Sequence, residues 1–412
     1  MKIRLMVLTA ATMLLVAGCS SGASTPTPVQ LSTVPTALFN EVGIDQVRDS
    51  MPAAVAATTR LGLALAPDSP TANALVAPWS TATLLAMLRS GASGTAKTQL
   101  DTALGGASAD TVSALLGQVQ QMAGNPGDVD TAMPSPTPVY HQGAALFIAK
   151  SVPVTAPFLR GLGTTFGTGY YPVDFGGNDP LAGISEWLAV NTGSDSARAP
   201  STMATPASVM TAMSSAFLSA AWATPFPDQS TATSTFTTGD GATTTVPFMT
   251  ATVPAQTARG AGWIAARLPF NAALAINIVL PDAPVPALAI TAQMLLDADT
   301  ALRSAPVGAL PIYLPRWGFH SFIDLMKYLG PLTGFARIGQ NVQLSAATAP
   351  SSIVIGERGT AAAAAASAPL PAGAALPPGG FIANRPFAYE IVDTATGLPL
   401  FYGRVANPGV AN

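Results

Sequence analysis

Near the C-terminal end, Thr360 to Gly380 contains no charged side chain and opens with a threonine followed by six consecutive alanines, Ala361 to Ala366. Alanine has the best helix propensity, so a helix is one reading of this run, and a low-complexity linker is another. Position argues against a linker between domains. Only about 30 residues follow, and they contain two strand-like runs, Phe387 to Val392 and Leu400 to Val405, joined by a turn at Thr396-Gly397. These strands belong in the same core as the chain before the alanines, so the uncharged segment interrupts one domain.

The rest of the chain supports a single mixed domain. Proline and glycine, 37 of each in 412 residues, cut the hydrophobic stretches short after residue 17, and no run of about 18 apolar residues is left to span a bilayer. Helical spacing appears at Ser80–Leu88, Ala96–Leu104, Leu181–Val190 (with Trp187 on the apolar face) and Ser321–Leu329. Strand patterns appear at Ala144–Ile148 and Leu274–Leu280, and residues 125–140 read as a loop. Thr-rich Ser230–Met249, centred on Gly239-Asp240-Gly241, reads as a hairpin. The pattern is α+β, with hairpins and no internal repeat.

The N-terminus has a different logic. Lys2 and Arg4 precede a short apolar run, Leu5–Val16, and then Ala17-Gly18-Cys19. This reads as a lipoprotein-type signal peptide over 1–18, with the Cys19 thiol as the acylated atom, and an ordinary secreted protein with a stray cysteine is the bland alternative. Residues 19–36 read as the lipidated cysteine and a tether, and 37–412 as the domain. The expected location is outside the cytoplasm, lipid-anchored to a bacterial cell membrane.

Catalytic and metal chemistry is sparse. Cys19 is the single cysteine, so no intramolecular disulfide can form, and neither His141 nor His320 stands in metal-ligand spacing. Beyond the signal-peptide junction, where Gly18 to Gly22 match the letters alone, there is no G-x-S-x-G elbow, and Gly161, Gly163 and Gly167 miss the dinucleotide spacing. A net charge of −3 gives no basic field for nucleic acid. The expectation is a non-enzyme without metal or cofactor.

From about residue 50 to 409 the residues resemble the serpin family of protease inhibitors. The motifs run in order: Asn73 to Ser80, Leu85 to Leu88, Gly91-Ala92, Gly94, Gln99-Leu100 and Leu104-Gly105; Ala144 to Phe147; Val173 to Phe175; Ile184 with Trp187; Trp222 to Phe226; Leu268 to Phe270; Ile278 to Asp282; Leu314 to Arg316; Asp324-Leu325 and Leu329-Gly330; Phe381 to Phe387; and Leu400 to Pro408. The resemblance implies a large central, mainly antiparallel sheet, two further sheets, eight or nine helices, and an exposed reactive loop at about 357–385. Glu357, Gly359, Thr360, Ala361, Ala362, Ala363 and Ala364 match the loop's hinge. Arg316 would pair with Glu357 at the top of the sheet, beside Trp222. Spacing from Glu357 points to Gly373-Ala374 as the reactive bond, with Ala372-Gly373 one residue away. Small residues there suit elastase-like or subtilisin-like serine proteases, whereas Leu370 or Leu376 would suit chymotrypsin-like ones.

The implied mechanism is suicide inhibition by a monomer. The protease cuts the loop, the loop inserts as a new central strand, and the acyl-linked protease is dragged across and distorted. Alternation is compatible with this, since a strand beginning inward at Thr360 would also turn inward Ala362, Ala364, Ala366, Ala368, Leu370 and Ala372. A single charge buried there would cost several kcal/mol. The sequence also departs from the family. Ser214 stands where the family has Asn, Ala349 where it has His, and Ala77 where it has Ser, while Ser80 is kept. Pro350 implies an edge strand or a bulge, and Pro369 and Pro371 lack the N–H that an inserted strand donates. These departures motivate an alternative, a non-inhibitory surface lipoprotein of the same fold that binds a ligand or partner.

Overall fold

Caps and prolines set the helix starts. A computed structural model describes residues 29–33, 38–69, 71–130, 132–194, 196–282, 290–361 and 379–410. Its helices are α1 (Met51–Leu65), α2 (Pro78–Gly91), α3 (Gly94–Ala103), α4 (Ala109–Val119), α5 (Ala156–Phe166), α6 (Pro180–Thr192), α7 (Ala292–Ser304) and α8 (Leu325–Leu329). Proline occupies the first turn of α1, α2, α5 and α6, where its missing N–H has no intrahelical partner to lose. Side chains of Ser108, Thr155, Asp179 and Thr291 accept from backbone N–H groups at the starts of α4, α5, α6 and α7. Gly167 and Gly193 close α5 and α6 in the left-handed conformation.

Six strands form one sheet: β2 (Val139–Ala149), β3 (Tyr171–Val173), β4 (Met210–Ala221), β10 (Trp317–Asp324), β11 (Leu344–Gly356) and β12 (Gly359–Ala361). Their order is β10-β11-β12-β4-β2-β3, and β11 also pairs directly with β4. Alternation along β2 divides the core. Leu146 and Ile148 join the main cluster with α2, whereas Ala145 and Phe147 face Ile184 and Trp187 of α6. The remaining strands are β1 (Ala74–Val76), β5 (Ala232–Thr237), β6 (Thr243–Gly260), β7 (Trp263–Pro269), β8 (Leu274–Pro281), β9 (Val307–Pro315), β13 (Phe381–Ile382), β14 (Phe387–Asp393) and β15 (Pro399–Val405). They pair in the order β1-β15-β14-β8-β7-β6-β9-β13, with β5 on β6. The two smaller sheets expected from the resemblance are thus continuous. The 18-residue β6 pairs with β9 along Phe248–Gln256 and with β7 along Gln256–Gly260.

Two local expectations are corrected. Ser321–Leu329 is not one helix. Ser321 to Asp324 pairs with Ser351 to Thr348 in the β10–β11 ladder, and helix begins only at Leu325. Sheet pairing outweighs the local helical period here. Pro350 is not on an edge, because β11 lies between β10 and β4. It pairs with Phe322 of β10. On the other side, the register to β4 runs at Thr348–Met213 and resumes at Ser351–Ala216, skipping the proline. The irregularity in that ladder falls lower, between Leu344 and Ala346.

One cross-strand row buries polar groups beneath α1 and α7. Arg267, Asn277, Glu390 and Tyr402 are successive neighbours across β7, β8, β14 and β15. Asp299 of α7 accepts from Arg267 Nη2 at 2.5 Å and from Asn277 Nδ2 at 3.0 Å. Glu390 is 3% exposed. Burial, reinforced by the Asp299 charge and opposed by a bond from Thr59, pushes its carboxyl up to about 8. An unfolded glutamate titrates near about 4.3, so the native state holds a proton that the unfolded state releases. This contribution to stability is fully present below about pH 4.3 and is lost as pH rises through the folded value near 8. Glu390→Gln keeps the shape and removes the titration. Its thermal midpoint, measured at fixed scan rate, should fall less than that of the parent between pH 5 and 8.5. An unchanged pH slope would refute the assignment.

Candidate functional site

The two-residue turn Glu357-Arg358 joins β11 to β12, and it is held from several sides. Glu357 is 8% exposed. Its Oε1 accepts from Arg316 Nε at 2.6 Å and from Thr231 Oγ1 at 2.5 Å, and Arg316 Nη2 also contacts it. Arg316 is brought there by the β9–β10 connection, where its N–H donates to the Pro247 carbonyl at 3.0 Å. Trp222 lies flat on Phe270, with centroids 4.2 Å apart and planes 6° apart, and meets the edge of Phe226. The Trp222 Nε1–H donates to the Gly356 carbonyl at 2.8 Å. Backbone N–H groups of Trp222 and Phe226 donate to the carbonyls of Arg358 and Glu357, each at 2.9 Å. The exposed Arg358–Asp228 pair at 3.0 Å adds little.

Gly359 has φ +141°, and a Cβ there would collide with the Ala220 carbonyl. The glycine therefore lets the chain turn down between two strands. Thr360 then pairs with Ala220 of β4 on one side and Ile355 of β11 on the other, both antiparallel, and is fully buried. Ala361 extends the pairing to Val354. Below this wedge, β4 and β11 meet directly and in parallel, from Ser351–Ala216 down to Leu344–Met210. The seam is lined by small polar groups. Ser214 lies 3.5 Å from the Thr81 hydroxyl of α2, and Ser80 Oγ donates to the Ala77 carbonyl at 3.2 Å. The hydroxyls of Thr211, Ser215, Ser351 and Thr360 have no protein partner. Ala349, in the position of the family's histidine, is buried in the core.

The structure thus brings together Arg316, Glu357, Trp222, Gly359 and Thr360. Cys19, Ala362, Ala363, Ala364, Ala372, Gly373 and Ala374 lie outside the described residues. Thr231 was missed from sequence. It sits in a Thr-rich hairpin segment, where no local signal separates it from its neighbours. His141 is structural in setting, its ring nitrogens 3.1 Å from the Gly124 carbonyl and 2.9 Å from Asn191 Oδ1. Among the described residues, no three His, Cys, Asp or Glu side chains group as a metal site, and no helix is long and apolar enough to cross a membrane.

A family model described as "Serpin (serine protease inhibitor)" matches residues 53–408. The chain belongs to the serpin family. Serpin-Z2A of Triticum aestivum is 26% identical over 387 residues, covering 86% of this chain and 96% of the relative. A putative serpin-Z12 of Oryza sativa subsp. japonica is 29% identical over 219 residues, covering 45% of this chain and 52% of the relative. Among solved structures, the native thermophilic serpin tengpin aligns with a TM-score of 0.73 at 20% identity, covering 92% of this chain and 100% of its own. Thyroxine-binding globulin in complex with thyroxine aligns at 0.69 and 20% identity, covering 86% and 99%. At such identities these structures establish the serpin fold.

In this serpin the buried acid at Glu357 depends on its cation. Arg316→Ala leaves a carboxylate that is 9% exposed with only Thr231 beside it. Breaking one partner of a buried pair costs about 3–5 kcal/mol. Because the Arg316 side chain is 25% exposed, the low end, about 3 kcal/mol, is expected for the uncleaved protein. Denaturant unfolding checks it, and Arg316→Lys should recover only part of the loss, since lysine cannot reproduce the fork.

Proposed function

We propose that this serpin is a suicide inhibitor of serine proteases. The observation that carries the reading is the seat of Thr360. The first residue of the loop already occupies a strand position between β4 and β11, so insertion after cleavage continues a ladder that has begun. Each further residue replaces direct β4–β11 pairing with two antiparallel ladders.

Continuing the β12 register puts small residues against small ones. Ala364 would come alongside Ala216 and Ser351, Ala366 alongside Ser214 and Ala349, and Ala368 alongside Ala212 and Ala347. Cross-strand neighbours share a face, so the alanines would meet a groove of their own size. The same register lessens the objection from the two prolines. Pro369 would come alongside Thr211 and Ala346, where the β11 ladder is already irregular. Pro371 would reach Val209, before the start of β4 at Met210. The prolines would thus fall where few ladder bonds are made.

In this reading Cys19 carries a lipid after removal of 1–18, and the inhibitor stands outside the cytoplasm on a bacterial membrane. Its targets are elastase-like or subtilisin-like proteases cutting near Ala372, Gly373 and Ala374. The second reading, a non-inhibitory member that binds a ligand or partner, is motivated by Pro369, Pro371 and the altered residues Ser214 and Ala349. Thyroxine-binding globulin, solved with thyroxine, is a neighbour with a ligand-binding name.

Incubating the domain with elastase and with subtilisin should give an SDS-stable band at the summed mass, with cleavage near Gly373 by mass spectrometry. The cleaved protein should gain thermal stability. Thr360→Arg puts a charge into a fully buried position, at a cost of several kcal/mol, and should convert the inhibitor into a substrate that is cut without trapping. Clean cleavage of the parent, with active protease and no stability gain, would favour the second reading.

A further inference from the structure

Among the described residues, the large hydrophobic side chains left exposed include two aromatic rings, Phe322 at 50% and Tyr328 at 40%. Both line one cavity of about 670 Å³. It opens between the end of α1, the chain around β1, and the passage from β10 into α8. β1 pairs only with β15 and β10 only with β11, so the cavity lies where an edge of one sheet meets an edge of the other. Single exposed apolar residues are ordinary on a surface, whereas rings gathered on a cavity of this size are the usual make-up of a small-molecule site.

The walls are held without a ligand. Buried Arg404 donates from Nη2 to the carbonyls of Pro67 at 2.6 Å and Ser69 at 2.9 Å, and from Nε to that of Ala72 at 3.2 Å. Asn73 Oδ1 accepts from the N–H groups of Ala406 and Asn407, each at 2.9 Å. Across the cavity, β10 is laddered to β11 as far as Asp324, whose carboxylate accepts from the Met326 N–H at 3.0 Å and caps α8. Walls fixed in this way spare a ligand the cost of ordering them.

The lining has an apolar floor and a cation. Leu65 and Leu75 are buried and Ile323 is half-buried. Lys327 is exposed at the side, and none of the ion pairs among the described residues uses its ammonium.

We infer that this cavity binds an amphiphilic monocarboxylate. The apolar body lies against Leu65, Leu75, Ile323 and the two rings, and the carboxylate meets the Lys327 ammonium. Removal of the body from water supplies the drive, and the charge-assisted contact sets the orientation. None of the lining residues belongs to the β4–β11 seam or to the Glu357 turn, so the site does not rest on the inhibitory reading.

Dodecanoate, kept below its micelle concentration, tests this by calorimetric titration into the purified protein, beside dodecyltrimethylammonium. The parent should bind one dodecanoate per chain, and the ammonium at least tenfold more weakly. Lys327→Glu reverses the charge at an exposed position and should weaken dodecanoate at least tenfold. Ala64→Trp fills the cavity from an exposed position on α1 and should abolish binding. Thermal midpoints equal to the parent's show that both variants fold. The inference is overturned if the parent shows no saturable binding, if either variant binds dodecanoate within twofold of the parent, or if the two probes bind equally.

Discussion

The sheet's architecture turns on one buried carboxylate. Glu357 closes the turn where β11 hands the chain to β12, and its oxygen is shared by Arg316 and Thr231. Without a cation at that point, a charge 8% exposed would be left with the Thr231 hydroxyl. With it, the turn is fixed in space, Gly359 can fold the chain downward, and Thr360 enters the sheet. Trp222 contributes by shape and by one bond. Its ring stacks on Phe270 and its N–H meets the carbonyl of Gly356, so the last residue of β11 cannot drift from β4. The ion pair and the stacked rings hold open the top of a seam that is closed below.

The closed part of the seam is chemically mild. Serine, threonine and alanine line it, and several hydroxyls there have no protein partner. Parallel pairing is slightly weaker per residue than antiparallel, and the β4–β11 ladder is interrupted at Pro350 and irregular near Leu344. The loss of the family's usual Asn and His at Ser214 and Ala349 is therefore a joint substitution. It leaves small groups facing one another, with no stranded large polar side chain. Pro350 falls in the stretch of β11 where the pairing with β4 is interrupted, between Thr348–Met213 and Ser351–Ala216.

Much of this was legible in the sequence because it depends on short-range chemistry. Helical spacing placed α2, α3 and α6, while α1, α4, α5 and α7 went unread. Short apolar runs placed β2, β8, β14 and β15, which are buried nearly throughout, and Gly239-Asp240-Gly241 marked the hairpin between β5 and β6. The ordered motifs carried the fold. Ser321–Asp324 was misread because its strand state is decided by β11, more than twenty residues on. Thr231 could not be found because its role is set by where Glu357 arrives, and one threonine among many carries no mark of that. The entry of Thr360 into the sheet is likewise a tertiary fact, and so is the fusion of two sheets through β6. Composition showed that an uncharged segment could be buried; only the pairing shows how far burial has begun.

The early seat of β12 has a consequence for how the segment divides its length. Its two ends are anchored, at Ala361 beside Val354 and at Phe381 beside Ile312 of β9. Every residue drawn into the seam is subtracted from the span between those anchors. In the inhibitory reading proposed above, a protease needs an extended stretch of that same span in its cleft. On that reading, enzyme and sheet compete for one fixed stock of residues. A deeper seat shortens the bait as it eases the trap, and a shallower one does the reverse. On that reading, the balance is set by the position of one boundary along the alanine run. A run of identical small residues lets that boundary slide without changing the side chains on either side.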